Sequence, residues 1–411
     1  MKTLNNLALA AALALAPPIQ AGEPATTWTS SWYASPHATW GAEFPLPTAV
    51  PAILERQTVR ETARISVGGR RVRVVLSNRY GEEPMVIGEA RIARAGDAPG
   101  YVRGPDHALT VGGKRLATIP AGAPLVSDPV DLRVDALEKL AVSVYLPQAT
   151  PLKTFHWGAQ QTGHIADGNV TTAATLKDAQ ALHGRALLSA ILVDAPGGKG
   201  VVVALGDSIT DGNGSTPDRD RRWPDYLAAR LGAEGVGVVN AGISGARLLG
   251  DRMGVNAAAR FGQDVLGQPG AGTVVVLMGI NDIGWPQSAF APDEPPMRAE
   301  RMIAVYRQLI AQARVRGVRI VGGTLLPFEG ALQGTPFEGY YTPAKDAVRR
   351  EVNQWIRESG EFDAVVDFDA LMRDPSRPAR MLARYDSGDH LHPGDAGYEA
   401  MAKAVEAGGL P

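Results

Sequence analysis

The chain is 411 residues long, a size that points to two domains, and its 45% hydrophobic and 20% charged residues are ordinary for a globular protein. A formal net charge of −2 gives no electrostatic reason to expect nucleic acid or an anionic membrane surface as partner. Cysteine is absent, which excludes disulfides, thiolate metal sites and an acylated lipoprotein anchor.

The N-terminus reads as a processing segment. Lys2 precedes a Leu/Ala run from Leu7 to Ala16, Pro17 and Pro18 break it, and Ile19-Gln20-Ala21 ends on a small residue. Such a run rises only about 15 Å as a helix, against a bilayer core of roughly 30 Å. Residues 1–21 are therefore expected to be a signal peptide cleaved near Ala21, with the mature protein periplasmic or secreted. No later segment is apolar enough to span a membrane.

Residues 22–195 read as a β-sandwich-like domain. Ile65/Val67 and Val72/Val74/Leu76 alternate with polar residues across Gly68-Gly69, a pattern that predicts a hairpin. Leu140, Val142, Val144 and Leu146 alternate in the same way. His37, His107, His156, His164 and His183 fall in this region with no evident partners, and read as structural.

From residue 196 to 411 short apolar runs alternate with helix-period segments. Strands are expected at Val201–Leu205, Val236–Asn240, Val274–Met278, Arg319–Thr324 and Ala364–Asp367. Met302, Val305, Tyr306, Leu309, Ile310 and Ala313 form one helical face, and Val348, Val352, Trp355 and Ile356 another. This is α/β grammar, a parallel sheet covered by helices, with function at the carboxyl ends of its strands.

Three of those ends carry chemistry. The first runs into Gly206-Asp207-Ser208, presenting an alcohol, although a serine capping a helix would look similar. The second ends at Asn240-Ala241-Gly242-Ile243-Ser244-Gly245, where a glycine N–H can approach a bound group closely. The third ends at Gly279-Ile280-Asn281-Asp282, which places an amide on the same rim. Near the C-terminus, Asp389-His390-Leu391-His392-Pro393 spaces a carboxylate one turn from an imidazole. Asp389 would hold the tautomer of His392 while His392 takes the Ser208 proton. His390 is the rival base. A metal reading, His390 and His392 with Asp386 or Asp389, leaves the serine and asparagine unexplained, so neither metal nor organic cofactor is expected.

Taken together, Gly206-Asp207-Ser208, Gly242, Gly279-x-Asn281-Asp282 and Asp389-x-x-His392 resemble the four blocks of the SGNH/GDSL hydrolases, in that family's order. The resemblance covers roughly residues 199–411. It implies a flavodoxin-like three-layer α/β/α domain, Ser208 as nucleophile of a serine esterase, and an oxyanion hole formed by the Ser208 N–H, the Gly242 N–H and the Asn281 amide. Upstream, Trp32-Tyr33-Ala34-Ser35-Pro36, Leu76-Ser77-Asn78 and Val126-Ser127-Asp128-Pro129 resemble the N-terminal extension of a bacterial subset of the family. The G-x-S-x-G elbow of α/β-hydrolases is absent around Ser208.

Trp285 to Pro296 is too rich in proline for a helix, and Phe328 to Thr342 follows the fourth strand. Both should overhang the cleft, making Trp285, Phe328, Tyr340 and Tyr341 its expected walls. The expected substrate is a small-molecule or polysaccharide ester, with removal of acetyl or other short acyl groups from a carbohydrate ahead of a broad short-chain esterase or lipase. A reading of another class makes the chain a carbohydrate-binding protein with a vestigial hydrolase domain, using Trp28, Trp32 and Trp40 as a sugar platform.

Overall fold

A computed structural model describes residues 27–195 and 197–408. The expected signal peptide, residues 1–21, lies outside the described residues. Alternating runs in the first half build two antiparallel sheets. One runs Trp28–Tyr33, Leu188–Asp194, Val72–Ser77, Pro124–Val126; the other runs Gln180–Leu182, Gly163–Asp167, Gln57–Arg64, Lys139–Leu146, Glu89–Ala95, Val102–Ala108. Val72, Val74, Ile191 and Val193 of the first share one apolar core with Val59, Ile92, Val142 and Val144 of the second. This shared core is what period-2 alternation provides, since each strand sends one set of side chains inward.

The hairpin expected at Gly68-Gly69 does not form. Gln57–Arg64 and Val72–Ser77 belong to different sheets, and the link between them is held elsewhere. Gly69 N–H donates to Val134 O at 2.9 Å, Arg70 N–H to Asp194 O at 3.1 Å, and the Ser66 N–H to Ser31 O at 2.7 Å. These distant acceptors draw the chain across from one sheet to the other. Alternation on both sides of a Gly-Gly pair carries no information about which partner each strand will find.

The second half holds the five expected strands: β1 (Val201–Gly206), β2 (Gly237–Gly242), β3 (Ala271–Leu277), β4 (Arg319–Gly323) and β5 (Ala364–Val366). All neighbours pair in parallel, in the order β2-β1-β3-β4-β5. The order reverses at β1, and a crevice at such a switch point is where doubly wound sheets bind ligands. Around the sheet lie α1 (Ser208–Asp211), α2 (Trp223–Leu231), α3 (Ala257–Phe261), α4 (Ile280–Gly284), α5 (Ala299–Val315), α6 (Pro343–Glu358), α7 (Phe368–Met372) and α8 (Asp395–Ala407). α5 buries Met302, Tyr306, Leu309, Ile310 and Ala313, five of the six residues expected on its inner face.

The two halves share packing. Tyr33, Phe44, Ala190 and Leu192 join the core that contains β1 to β3. Arg260 of α3 reaches between the halves, donating to Gly206 O at 2.9 Å, Ala241 O at 2.7 Å and Ser35 Oγ at 3.3 Å, and pairing with Asp264 at 2.7 Å. Its guanidinium thus braces the ends of β1 and β2, where site residues begin. No helix among the described residues is long and apolar enough to cross a membrane.

Candidate active site

Ser208 opens α1 directly after β1. Asp207 caps that turn, accepting from the Ile209 N–H at 3.0 Å, so the serine is held at the rim by the helix it starts. Its Oγ lies 2.7 Å from His392 Nε2, and His392 Nδ1 lies 2.6 Å from Asp389 Oδ2. With the Nδ1 proton donated to Asp389, Nε2 is left as the acceptor facing the alcohol. The other carboxylate oxygen, Asp389 Oδ1, accepts the Leu391 N–H at 2.9 Å and the His392 N–H at 2.8 Å. Desolvation pushes the Asp389 carboxyl up, but the hydrogen bond and charge of His392 and these backbone donors outweigh it and hold it well below the usual carboxylate range.

His390 turns elsewhere. Its backbone sits in the left-handed region, φ 60°, and its ring pairs with Asp386 and Arg380. The two histidines therefore face separate carboxylates, so the arrangement does not collect them into one ligand set.

Asn281 stands in α4 beyond β3. Its Oδ1 accepts from Tyr340 OH at 2.7 Å and Trp285 Nε1 at 3.1 Å, which fixes the orientation of the amide. Nδ2 donates to Ala246 O at 2.9 Å, leaving its second hydrogen for a ligand. Burial pushes the Tyr340 hydroxyl well above its ordinary value, so it stays a donor.

Gly242 does not reach this rim. Its N–H donates to Asn240 Oδ1 at 2.8 Å, and a Cβ there would sit 2.4 Å from the Asp211 nitrogen. Its small size serves packing of β2 on α1. The glycine at the cavity is Gly245, three residues on, with φ +75°. Unlike that of Gly242, its N–H is not taken by another group among the described residues. The sequence Gly242-Ile243-Ser244-Gly245 offered both, and only the turn after β2 distinguishes them.

Ser208, His392, Asn281 and Gly245 line a cavity of about 170 Å³ with Leu46, Trp157, Met253, Phe290 and Phe337. Of the expected wall residues, Trp285 and Tyr340 line it. Phe328 is fully buried behind, edge-on to Tyr340 and Tyr341, and Tyr341 lines a separate groove with Glu329, Arg377 and Arg380. Phe290 and Phe337 were missed: they lie in the two overhanging segments and stack with ring centroids 4.7 Å apart. Leu46 and Trp157, from the first half, carry no local signal of this role. The three tryptophans of the alternative sugar-platform reading are dispersed: Trp32 is buried beneath the Arg185 guanidinium, Trp28 lies under Arg73, and Trp40 stacks on His37.

Residues 204–400 match the GDSL-like lipase/acylhydrolase family. The chain carries a GDSL-like acylhydrolase domain. That match supports a carboxylic ester hydrolase. Similar solved structures include a G-D-S-L family lipolytic protein from Desulfitobacterium hafniense, at 20% identity over 51% of this chain and 99% of the other, with a TM-score of 0.37. An acylhydrolase from Bacteroides fragilis is 20% identical over 51% of this chain and 86% of its own, TM-score 0.39. An acetylxylan esterase from Geobacillus stearothermophilus is 26% identical over 53% and 97%, TM-score 0.37. No curated protein matches the chain.

Two buried aspartates of the acylhydrolase domain flank the site. Burial pushes Asp207 up to about 7 despite its bond from Ile209, and pushes Asp282 up to about 6. Asp282 accepts the Leu248 N–H at 2.7 Å and the Leu249 N–H at 3.0 Å, holding the chain that follows Gly245.

Proposed function

We propose that the protein removes acetyl or other short acyl groups from a carbohydrate ester, through an acyl-enzyme on Ser208. The observation that carries this reading is the Asp389–His392–Ser208 alignment at a small, mostly apolar cavity. An apolar cavity of about 150 Å³ accommodates benzene, so a space of about 170 Å³ suits an acetyl to butyryl group and not an extended fatty acyl chain. His392 takes the Ser208 proton as the oxygen attacks the ester carbonyl, then returns it to the leaving alcohol. The Ser208 and Gly245 N–H groups and the free Asn281 amide hydrogen stabilise the oxyanion. Water, activated by the same imidazole, releases the acid.

The carbohydrate half of the reading rests on the export-type N-terminal segment and on the β-rich region that contributes Leu46 and Trp157 to the wall. With it go the domain boundary near residue 196, a β-sandwich before it and a flavodoxin-like three-layer domain after it. The apolar lining favours a broad short-chain esterase as the second reading.

The test is a screen of the purified protein on p-nitrophenyl acetate, butyrate and palmitate alongside acetylated xylo-oligosaccharides, with Ser208→Ala as blank. Acetyl release from the oligosaccharide, with palmitate turned over at least about 100-fold more slowly, is the expected result. Palmitate as best substrate, or a blank as active as wild type, would overturn it.

A further inference from the structure

We infer that His156, supplied by the β-rich first half, is a positioning residue for the Ser244-Gly245 turn beside the nucleophile. The inference rests on the ester-hydrolase reading above. His156 lies in the strand Thr154–Trp157 and is buried. Its Nδ1 is 2.8 Å from Ser35 O; a carbonyl only accepts, so Nδ1 carries a hydrogen. Its Nε2 is 2.9 Å from Asp211 Oδ1, and one proton bridges that contact.

Asp211 is the last residue of α1, the helix that Ser208 begins. Its second oxygen, Oδ2, accepts the Ser244 hydroxyl at 2.7 Å and the Ser244 N–H at 3.1 Å. A single buried carboxylate therefore ties the nucleophile's helix to the turn that carries the Gly245 N–H, and His156 holds that carboxylate from the other side. Without the imidazole, a buried carboxyl loses one of its three partners and must find water or reorient. Ser244 would then keep only Asn213 Oδ1, 3.2 Å from its hydroxyl, as a side-chain partner.

A second contact comes from the same strand's end. Gly158 has φ +74°, and a Cβ there would meet Ser244 Oγ at 2.7 Å, Asn213 Oδ1 at 3.3 Å and Asp211 Oδ2 at 3.3 Å. The first half thus touches the cluster at two points, by a hydrogen bond and by close backbone approach. A contact serving stability alone would alter melting temperature but not the turnover of the folded enzyme. A positioning role lowers kcat at nearly constant KM, because the donor it aims acts on charge that develops in the transition state.

The experiment measures kcat and KM of the full chain on p-nitrophenyl acetate for His156→Leu, His156→Gln, Ser244→Ala, the His156→Leu/Ser244→Ala double variant and Gly158→Ala, each checked for folding by circular dichroism. His156→Leu should lose roughly 30- to 100-fold in kcat with KM within about twofold, the scale of a small misplacement of catalytic geometry. His156→Gln, which can still donate to Asp211, should recover about tenfold of that loss. The double variant should fall no more than about threefold below the worse single one, since both break one linkage. A folded His156→Leu enzyme within twofold of wild-type kcat, or effects that multiply in the double variant, would overturn the inference. Should His156→Leu fail to fold, Gly158→Ala decides by the same kcat and KM criterion. A wild type inert on every ester sinks the functional reading itself; an active wild type silenced by Ser208→Ala but indifferent to His156→Leu sinks only this inference.

Discussion

The two halves of the chain differ in how far apart in sequence their meeting groups lie. In the α/β half, each polar group of the site sits just past a strand or within a short turn: Ser208 after β1, Gly245 after β2, Asn281 after β3, and Asp389 three residues from His392. In the β-rich half, Trp28–Tyr33 pairs with Leu188–Asp194, and His156 finds its carboxylate 55 residues away in the other half. The contrast separates two tasks. The groups proposed to react come from local motifs of the α/β half, whereas much of the wall and the support of those groups come from contacts that no local motif encodes.

The sharpest way to break this division is at Ser208, the proposed nucleophile. Ser208→Ala should lower kcat on the order of 10⁶-fold with folding intact; a tenth of wild-type activity remaining would move the chemistry elsewhere. Asn281→Ala should cost about 10²–10³ in kcat, roughly 3–4 kcal/mol of transition-state stabilisation, with a smaller change in KM. Trp157→Ala tests the contribution of the other half: enlarging the wall should shift the butyrate-to-acetate ratio of kcat/KM by about tenfold, the value of one or two methylenes in an apolar pocket, while Ser208 chemistry persists. An unchanged ratio would confine specificity to the α/β half. Tyr341→Ala, in the separate groove, should leave kcat/KM on p-nitrophenyl acetate within about twofold, as for surface changes away from a site.

One further prediction concerns stability. Asp207 and Asp282 titrate higher in the folded chain than unfolded, so their contribution is fully present below pH 4 and is lost as pH rises through about 6 and 7. Asp207→Asn keeps the cap acceptor but cannot ionise. Denaturant titrations from pH 4 to 8 should show the variant gaining on wild type by on the order of 2–4 kcal/mol across that window. Parallel curves would show that Asp207 carries no such penalty.

The five parallel strands were legible because buried parallel strands are continuous apolar runs, as Val201-Val202-Val203 illustrates. The Ser208 and Asn281 positions followed from motifs at the ends of two of those runs, and Asp389 and His392 from their short spacing near the C-terminus. Gly242 entered the expected oxyanion hole through the resemblance alone; that its N–H is already satisfied by Asn240 depends on side-chain geometry that periodicity does not contain. Phe328 and Tyr341 were placed on the wall by their loop, but within that loop only Tyr340 and Phe337 face the cavity. Gly68-Gly69 read as a hairpin because pairing across sheets depends on Val134 and Asp194, far away in the chain. His156 read as partnerless for the same reason.

The edge of the parallel sheet at β2 has a further consequence. Val238 lies in that edge strand, and its N–H is answered by the Ser66 hydroxyl at 3.0 Å, while Ser30 N–H reaches Pro269 O at 2.9 Å on the loop before β3. The first half therefore acts as a cover for an edge that would otherwise invite other chains. Cutting the polypeptide near residue 196 would leave Ser208, Asp389 and His392 on a domain with an unguarded strand, and self-association, on top of the turnover lost with His156, is the failure to expect from such a fragment.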